Sequence, residues 1–170
     1  FRSRSGPSVQ SLLQDAIFQF CGEKTTVFSA GRTDAGVHAL NMVAHFDLER
    51  EQDAQTVMRA MNFYLNDNPV AVLNCEKVND DFHSRFSCVA RHYKYVVVNR
   101  NAPVVLEKNR VWWVPQKLDI NAMKNAAQKL IGKHDFTSFR AAQCQSKSPI
   151  KTLDSVNITQ NGDGRKLVFQ

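Results

Sequence analysis

The chain has 170 residues, 43% of them hydrophobic and 22% charged, which places it in the ordinary globular range and excludes a disordered tail. It contains no run of about 18 uncharged apolar residues, and its first five residues lack the apolar centre of a signal peptide, so neither a membrane span nor a secretory leader is expected. The formal net charge of +6 is unevenly spread: residues 1–81 hold seven Lys and Arg against eleven Asp and Glu, whereas residues 82–170 hold fifteen against five.

A basic half of this kind suits a polyanion, because Lys and Arg displace counterions from phosphates without reading sequence, and it equally suits a solvated surface. Cys21, Cys75, Cys88 and Cys144 form no Cys-x-x-Cys pair and have no companion His at ligand spacing. That disfavours both a zinc site and a disulfide framework, and a reduced, cytoplasmic protein is the expectation.

The first element is a helix. Val9, Leu12, Leu13, Ala16, Ile17 and Phe20 recur at i, i+3, i+4 spacing, with Ser8 as N-cap after Pro7 and Gly22 as the stop. Residues 25–30 and 41–48 read as strands, separated by the loop Gly31 to Ala39. A helix over residues 53–65 carries Val57, Met58, Met61 and Tyr64 on its inner face, and residues 70–78 read as a further strand.

This α-β-β-α-β order becomes β-α-β-β-α-β, the ferredoxin-like arrangement also used by RNA-recognition sheets, once one strand is placed ahead of it. The expected class is therefore α+β, with a domain over residues 1–85 and a basic α+β domain over residues 86–170. In the second half, residues 86–98 read as a strand with Tyr93, Tyr95 and Val97 on one face. Asp119 caps a helix running to Ile131, with Gly132 at its end, and residues 150–159 and 165–169 flank the hairpin signal Asn161-Gly162-Asp163-Gly164.

Two constellations could carry chemistry. Gly31-Arg32-Thr33-Asp34-Ala35-Gly36-Val37-His38-Ala39 puts a cation, a carboxylate and an imidazole on one loop between strands, and it is neither a phosphate loop nor a dinucleotide fingerprint. A plainer reading has Asp34 closing an Asx-turn and Arg32 in a local ion pair. Arg91-His92-Tyr93-Lys94-Tyr95 interleaves rings and cations as a nucleobase-stacking strand would, and tyrosines are also ordinary strand formers. The five histidines lack ligand spacing, so no metal is expected.

The run Gly31 to Ala39 resembles the signature of the tRNA pseudouridine synthase A (TruA) family. Three further stretches agree in order: Gly6 to Gln10, Phe82 to Ser87 continuing to Tyr95, and His134 to Arg140 leading to Gln143-Cys144. The resemblance implies the pseudouridine synthase fold, two ferredoxin-like domains with antiparallel sheets, here lacking the N-terminal strand and the C-terminal segment of the family.

It also implies an isomerase that converts uridine to pseudouridine in the tRNA anticodon stem-loop, at tRNA positions 38, 39 and 40, working as a homodimer without cofactor or metal. Asp34 would be the nucleophile, with Arg32 displacing the target nucleotide and pairing with the carboxylate. Tyr93 would stack on the uracil and assist catalytically in removing the C5 proton, and Arg91, Lys94 and His38 would join in holding the substrate. Tyr95 is expected to pack. The alternatives held against this are a non-catalytic RNA-binding module or inactive truncated synthase, and an aspartate-dependent hydrolase or phosphoryl-transfer enzyme, which would need a metal-ligand set or phosphate loop that the sequence does not show.

Overall fold

The computed structural model describes residues 6–141 and 148–170, and the expected pair Gln143-Cys144 lies outside them. The protein is α+β, with small antiparallel and mixed sheets. Two compact units are present, Phe1–Ala90 and Arg91–Gln170.

In the first unit, α1 (Val9–Cys21) begins where expected. Ser8 and Ser11 form a reciprocal cap, the Ser11 amide donating to Ser8 Oγ at 3.1 Å and the Ser8 amide to Ser11 Oγ at 3.0 Å. The helix ends on Gly22, whose left-handed φ of 75° lets its amide donate back to the Phe18 carbonyl. α2 (Ala54–Leu65) starts on Asp53, which accepts from the Thr56 amide at 2.8 Å. Its buried face is Val57, Met61 and Leu65, and Tyr64, expected inside, is exposed. A repeat of four residues rotates slowly around the cylinder, so the inner face drifts onto Leu65, and the tyrosine keeps its hydroxyl in water. These residues join Ala16 and Ile17 of α1 and Val27 in one core, ringed by Leu12, Leu13, Phe20, Phe46, Leu48, Val70, Val72 and Cys75.

The strands of this unit are shorter than their sequences imply. β1 (Phe28–Ser29) and β2 (Ala44–His45) pair antiparallel over two residues each, Phe28 opposite His45 and Ser29 opposite Ala44. Residues 70–78 form no ladder among the described residues; the Asn62 side chain of α2 takes the place of a strand partner at Val72.

The second unit holds a four-stranded sheet in the order β4-β3-β8-β7, built from β3 (Tyr95–Asn99), β4 (Trp112–Val114), β7 (Ile158–Gln160) and β8 (Lys166–Phe169). β3 pairs parallel with β4, and the other neighbours are antiparallel. Val97, Val98, Ile158 and Leu167 are buried in it.

The run 86–98, expected to be extended throughout, enters the ladder only at Tyr95. The hairpin at Asn161–Gly164 forms as expected: the Asn161 amide donates to the Lys166 carbonyl, and Asn161 Oδ1 accepts from the Lys166 amide at 2.8 Å. The long strand expected over 150–159 is split. Its first part, β6 (Ile150–Leu153), pairs with β5 (Gly132–Asp135) in a separate ribbon, and its second part is β7.

Asp119 caps α3 (Ile120–Gln128) as expected, accepting from the Ala122 amide at 2.9 Å. The helix stops three residues before Ile131. Lys129, Leu130 and Ile131 donate to carbonyls three residues back, tightening the last turn, so that Gly132 opens β5 instead of closing the helix.

Candidate active site

The loop that carries Arg32, Asp34 and His38 springs from the β1–β2 pair. One further backbone bond, from the Ala30 amide to the Val43 carbonyl at 2.9 Å, extends the ladder toward it, and Ser29 Oγ donates to the Gly31 carbonyl at 2.9 Å. Within the loop, the Val37 amide donates to the Asp34 carbonyl at 3.1 Å, closing a turn whose third residue, Gly36, has φ of 85°. A turn with a positive φ at that position favours glycine, because a Cβ there meets the following carbonyl.

The turn is thus closed by the backbone of Asp34 and not by its side chain. Arg32, Asp34 and His38 are all exposed, and neither Arg32 nor Asp34 enters an ion pair among the described residues. The plainer reading, an Asx-turn with a local ion pair, is not how this loop is built. What it presents to solvent is a carboxylate with an arginine two residues before it and an imidazole four residues after it.

The root of the loop is packed against a turn 39 residues further along the chain. Phe82 to Ser87 folds tightly, the Ser87 and Phe86 amides both donating to the His83 carbonyl, and this brings Ser84 under β1 and β2. Ser84 is 3% exposed, and among the described residues it is the single buried polar side chain. Its Oγ lies 3.1 Å from the Phe28 carbonyl, to which it donates, and 2.9 Å from His45 Nδ1.

The His45 ring stacks on Phe28 with centroids 5.1 Å apart and an interplanar angle of 19°, meets His83 at 4.6 Å, and takes the edge of Phe82. Sequence reasoning placed no role on His45 or Ser84. Ser84 sits in the Phe82–Ser87 stretch that carries part of the resemblance, but nothing at either position marks their partnership, which exists only across the fold.

Arg91, Tyr93 and Lys94 stand in the second unit, on the stretch that runs into β3, and all three are exposed, Tyr93 at 76%. Tyr95, expected to pack, is also exposed and meets the edge of Trp112 at 6.4 Å. It opens the strand beside β4, the edge strand, so little covers its ring.

Residues 126–170 match the family model described as tRNA pseudouridine synthase. A tRNA pseudouridine synthase A of Rhodospirillum centenum is 54% identical over 167 residues, covering 98% of this chain and 68% of its own length. The chain belongs to the tRNA pseudouridine synthase family. Proteins of the same printed name from Paramagnetospirillum magneticum and Wolbachia pipientis are 50% and 49% identical, covering 99% and 95% of this chain and 66% of their own lengths in both cases. The chain therefore spans about two thirds of the length of these synthase relatives. The family is one of isomerases acting on tRNA, and the similarity of the Rhodospirillum centenum protein to this chain runs through both units. Among the described residues no helix is long and apolar enough to cross a membrane.

Proposed function

We propose that this chain isomerises uridine to pseudouridine in the anticodon stem-loop of tRNA, at tRNA positions 38, 39 and 40, with Asp34 as the nucleophile. The observation that carries the reading is the exposed Asp34 carboxylate, held on a turn closed by its own backbone, in a chain 54% identical to a protein named tRNA pseudouridine synthase A. In the reaction the N1–C1′ bond of uridine breaks, the uracil turns, and a C5–C1′ bond forms. The C5 proton leaves and N1 takes one up, so atoms balance without a redox partner, and Asp34 carries the sugar or the ring through the broken stage.

Arg32 helps to extrude the target nucleotide and pairs with the carboxylate when substrate is bound, because a stacked base is out of reach of any side chain. Tyr93 stacks on the uracil, while Arg91, Lys94 and His38 hold the surrounding backbone. The same reading takes the two halves as ferredoxin-like domains joined near residue 85. It makes the protein a cytoplasmic homodimer that works without cofactor or metal.

Release of tritium from tRNA labelled at uridine C5 tests this. Asp34→Asn keeps the shape and removes the charge, so release is abolished while tRNA binding survives. Undiminished release by the variant, or equal loss of release and binding, would overturn the role given to Asp34.

A further inference from the structure

We infer that His45 is a positioning residue for Asp34, holding the root of the nucleophile loop through Ser84, an inference that rests on the reading of Asp34 given above. The need for such a device follows from the ladder itself. β1 and β2 share two residue pairs, and the connection between them runs from residue 30 to residue 43. A two-stranded ladder this short does not hold its own register in water. Yet a reacting carboxylate displaced by about 1 Å loses on the order of a hundredfold in rate. Something beyond the ladder's own backbone bonds has to fix it.

His45 is placed to do so. It stands opposite Phe28 in the register, and its ring is gripped on two sides. One face stacks on the Phe28 ring of the facing strand, and the ring makes T-shaped contacts with His83 and Phe82. Nδ1 lies 2.9 Å from Ser84 Oγ and 3.3 Å from the Ser84 amide, while the same Oγ donates to the Phe28 carbonyl. Ser84 thus binds a backbone carbonyl of β1 and a side chain of β2 together. Separating the two strands breaks both bonds and strands a buried hydroxyl, whose desolvation would go uncompensated. The imidazole both stacks across the ladder on Phe28 and meets Ser84, which in turn holds the Phe28 carbonyl, so removing the ring takes away two ties between the strands at once.

The test compares His45→Ala, His45→Asn and Asp34→Asn in the full chain, reading turnover on tRNA and hydrogen exchange at the Ala30 amide, which reports the last bond before the loop. Removing the ring lowers kcat by about tenfold or more and raises KM by much less, because Arg91, Tyr93 and Lys94 hold tRNA from outside the loop while only Arg32 and His38 move with it. Asn offers an amide N–H near the place of Nδ1 that can donate to Ser84 Oγ, and it recovers most of kcat. Ala30 exchanges faster in His45→Ala and keeps its protection in His45→Asn and Asp34→Asn. Should His45→Ala fail to fold, His45→Leu fills the same volume without a nitrogen and is expected to show the same loss of kcat.

Unchanged kcat in the ring-deleted variant overturns the inference. So does a loss of kcat with Ala30 still protected, since His45 would then act on the reaction itself and not through the hairpin. Full turnover by Asp34→Asn instead overturns the nucleophile reading, and exchange at Ala30 still decides whether His45 holds the hairpin.

Discussion

Asn62 and Val72 form a two-point pair: Asn62 Nδ2 donates to the Val72 carbonyl at 2.8 Å, and the Val72 amide donates to Asn62 Oδ1 at 2.7 Å. A helix side chain here supplies both bonds that a neighbouring strand would supply, and it pins the extended run 70–78 to α2. Asn62→Ala removes both and leaves a half-buried amide and carbonyl to find water. The expected cost is about 1–3 kcal/mol, read as a lower urea midpoint with an unchanged slope. An unchanged midpoint would show that Val72 is held by apolar packing alone.

The cap of α2 makes stability depend on acid. The Thr56 amide, and secondarily its hydroxyl, hold the Asp53 carboxyl below its ordinary value. A carboxylate depressed in the folded state stabilises fully above its unfolded pKa and loses that contribution as pH falls through the folded one. Asp53→Asn caps without titrating. The difference in thermal midpoint between the natural chain and the variant is therefore expected to be constant near neutrality and to shrink below about pH 4. A difference that grew on acidification would contradict the sign.

Gly36 tests the Asp34 turn. Apart from the adjoining backbone, a Cβ built there meets nothing within 4 Å, so Gly36→Ala is penalised by backbone conformation alone, by about 1–2 kcal/mol. Among the described residues none of 31–39 is one of the hydrophobics packed against the core, so relaxing the turn relieves this strain without disturbing the core. The global unfolding midpoint moves little while turnover on tRNA falls by about tenfold as the carboxylate shifts. Retained turnover would mean that the turn does not set the position of Asp34.

Electrostatic holding of tRNA predicts a salt dependence. The affinity should fall linearly on a log–log plot against salt, and Lys94→Ala should weaken binding across tRNA sequences and reduce the slope by about 1. A slope that Lys94→Ala leaves untouched removes that side chain from the phosphate contacts.

What could be read from the sequence was what is local. α1 lies between a serine cap and a glycine stop, α3 starts on Asp119, and the Asn161–Gly164 hairpin carries its own turn chemistry, so each is where its residues put it. The Asp34 loop was legible for the same reason, as a dense run of polar residues between two strand-like segments. Strand lengths were not, because a strand needs a partner: residues 25–30 and 41–48 have the composition of strands and pair over only two residues each. The run 70–78 is extended but bonded to a helix side chain. The contact of His45 with Ser84 joins residues 39 apart, and neither position announces the other.

The register of β3 with β8, from Tyr95 opposite Phe169 to Val98 opposite Lys166, has a consequence for how the chain is made. The core of the first unit is complete in sequence once residue 75 has left the ribosome. β3 must wait for a partner about 70 residues downstream, which at about 5–20 residues per second is several seconds of synthesis. β4 reaches one side of it earlier, but until β8 arrives the run Val96-Val97-Val98 has an open edge. That interval is when the nascent chain is most exposed to pairing with a strand other than its own.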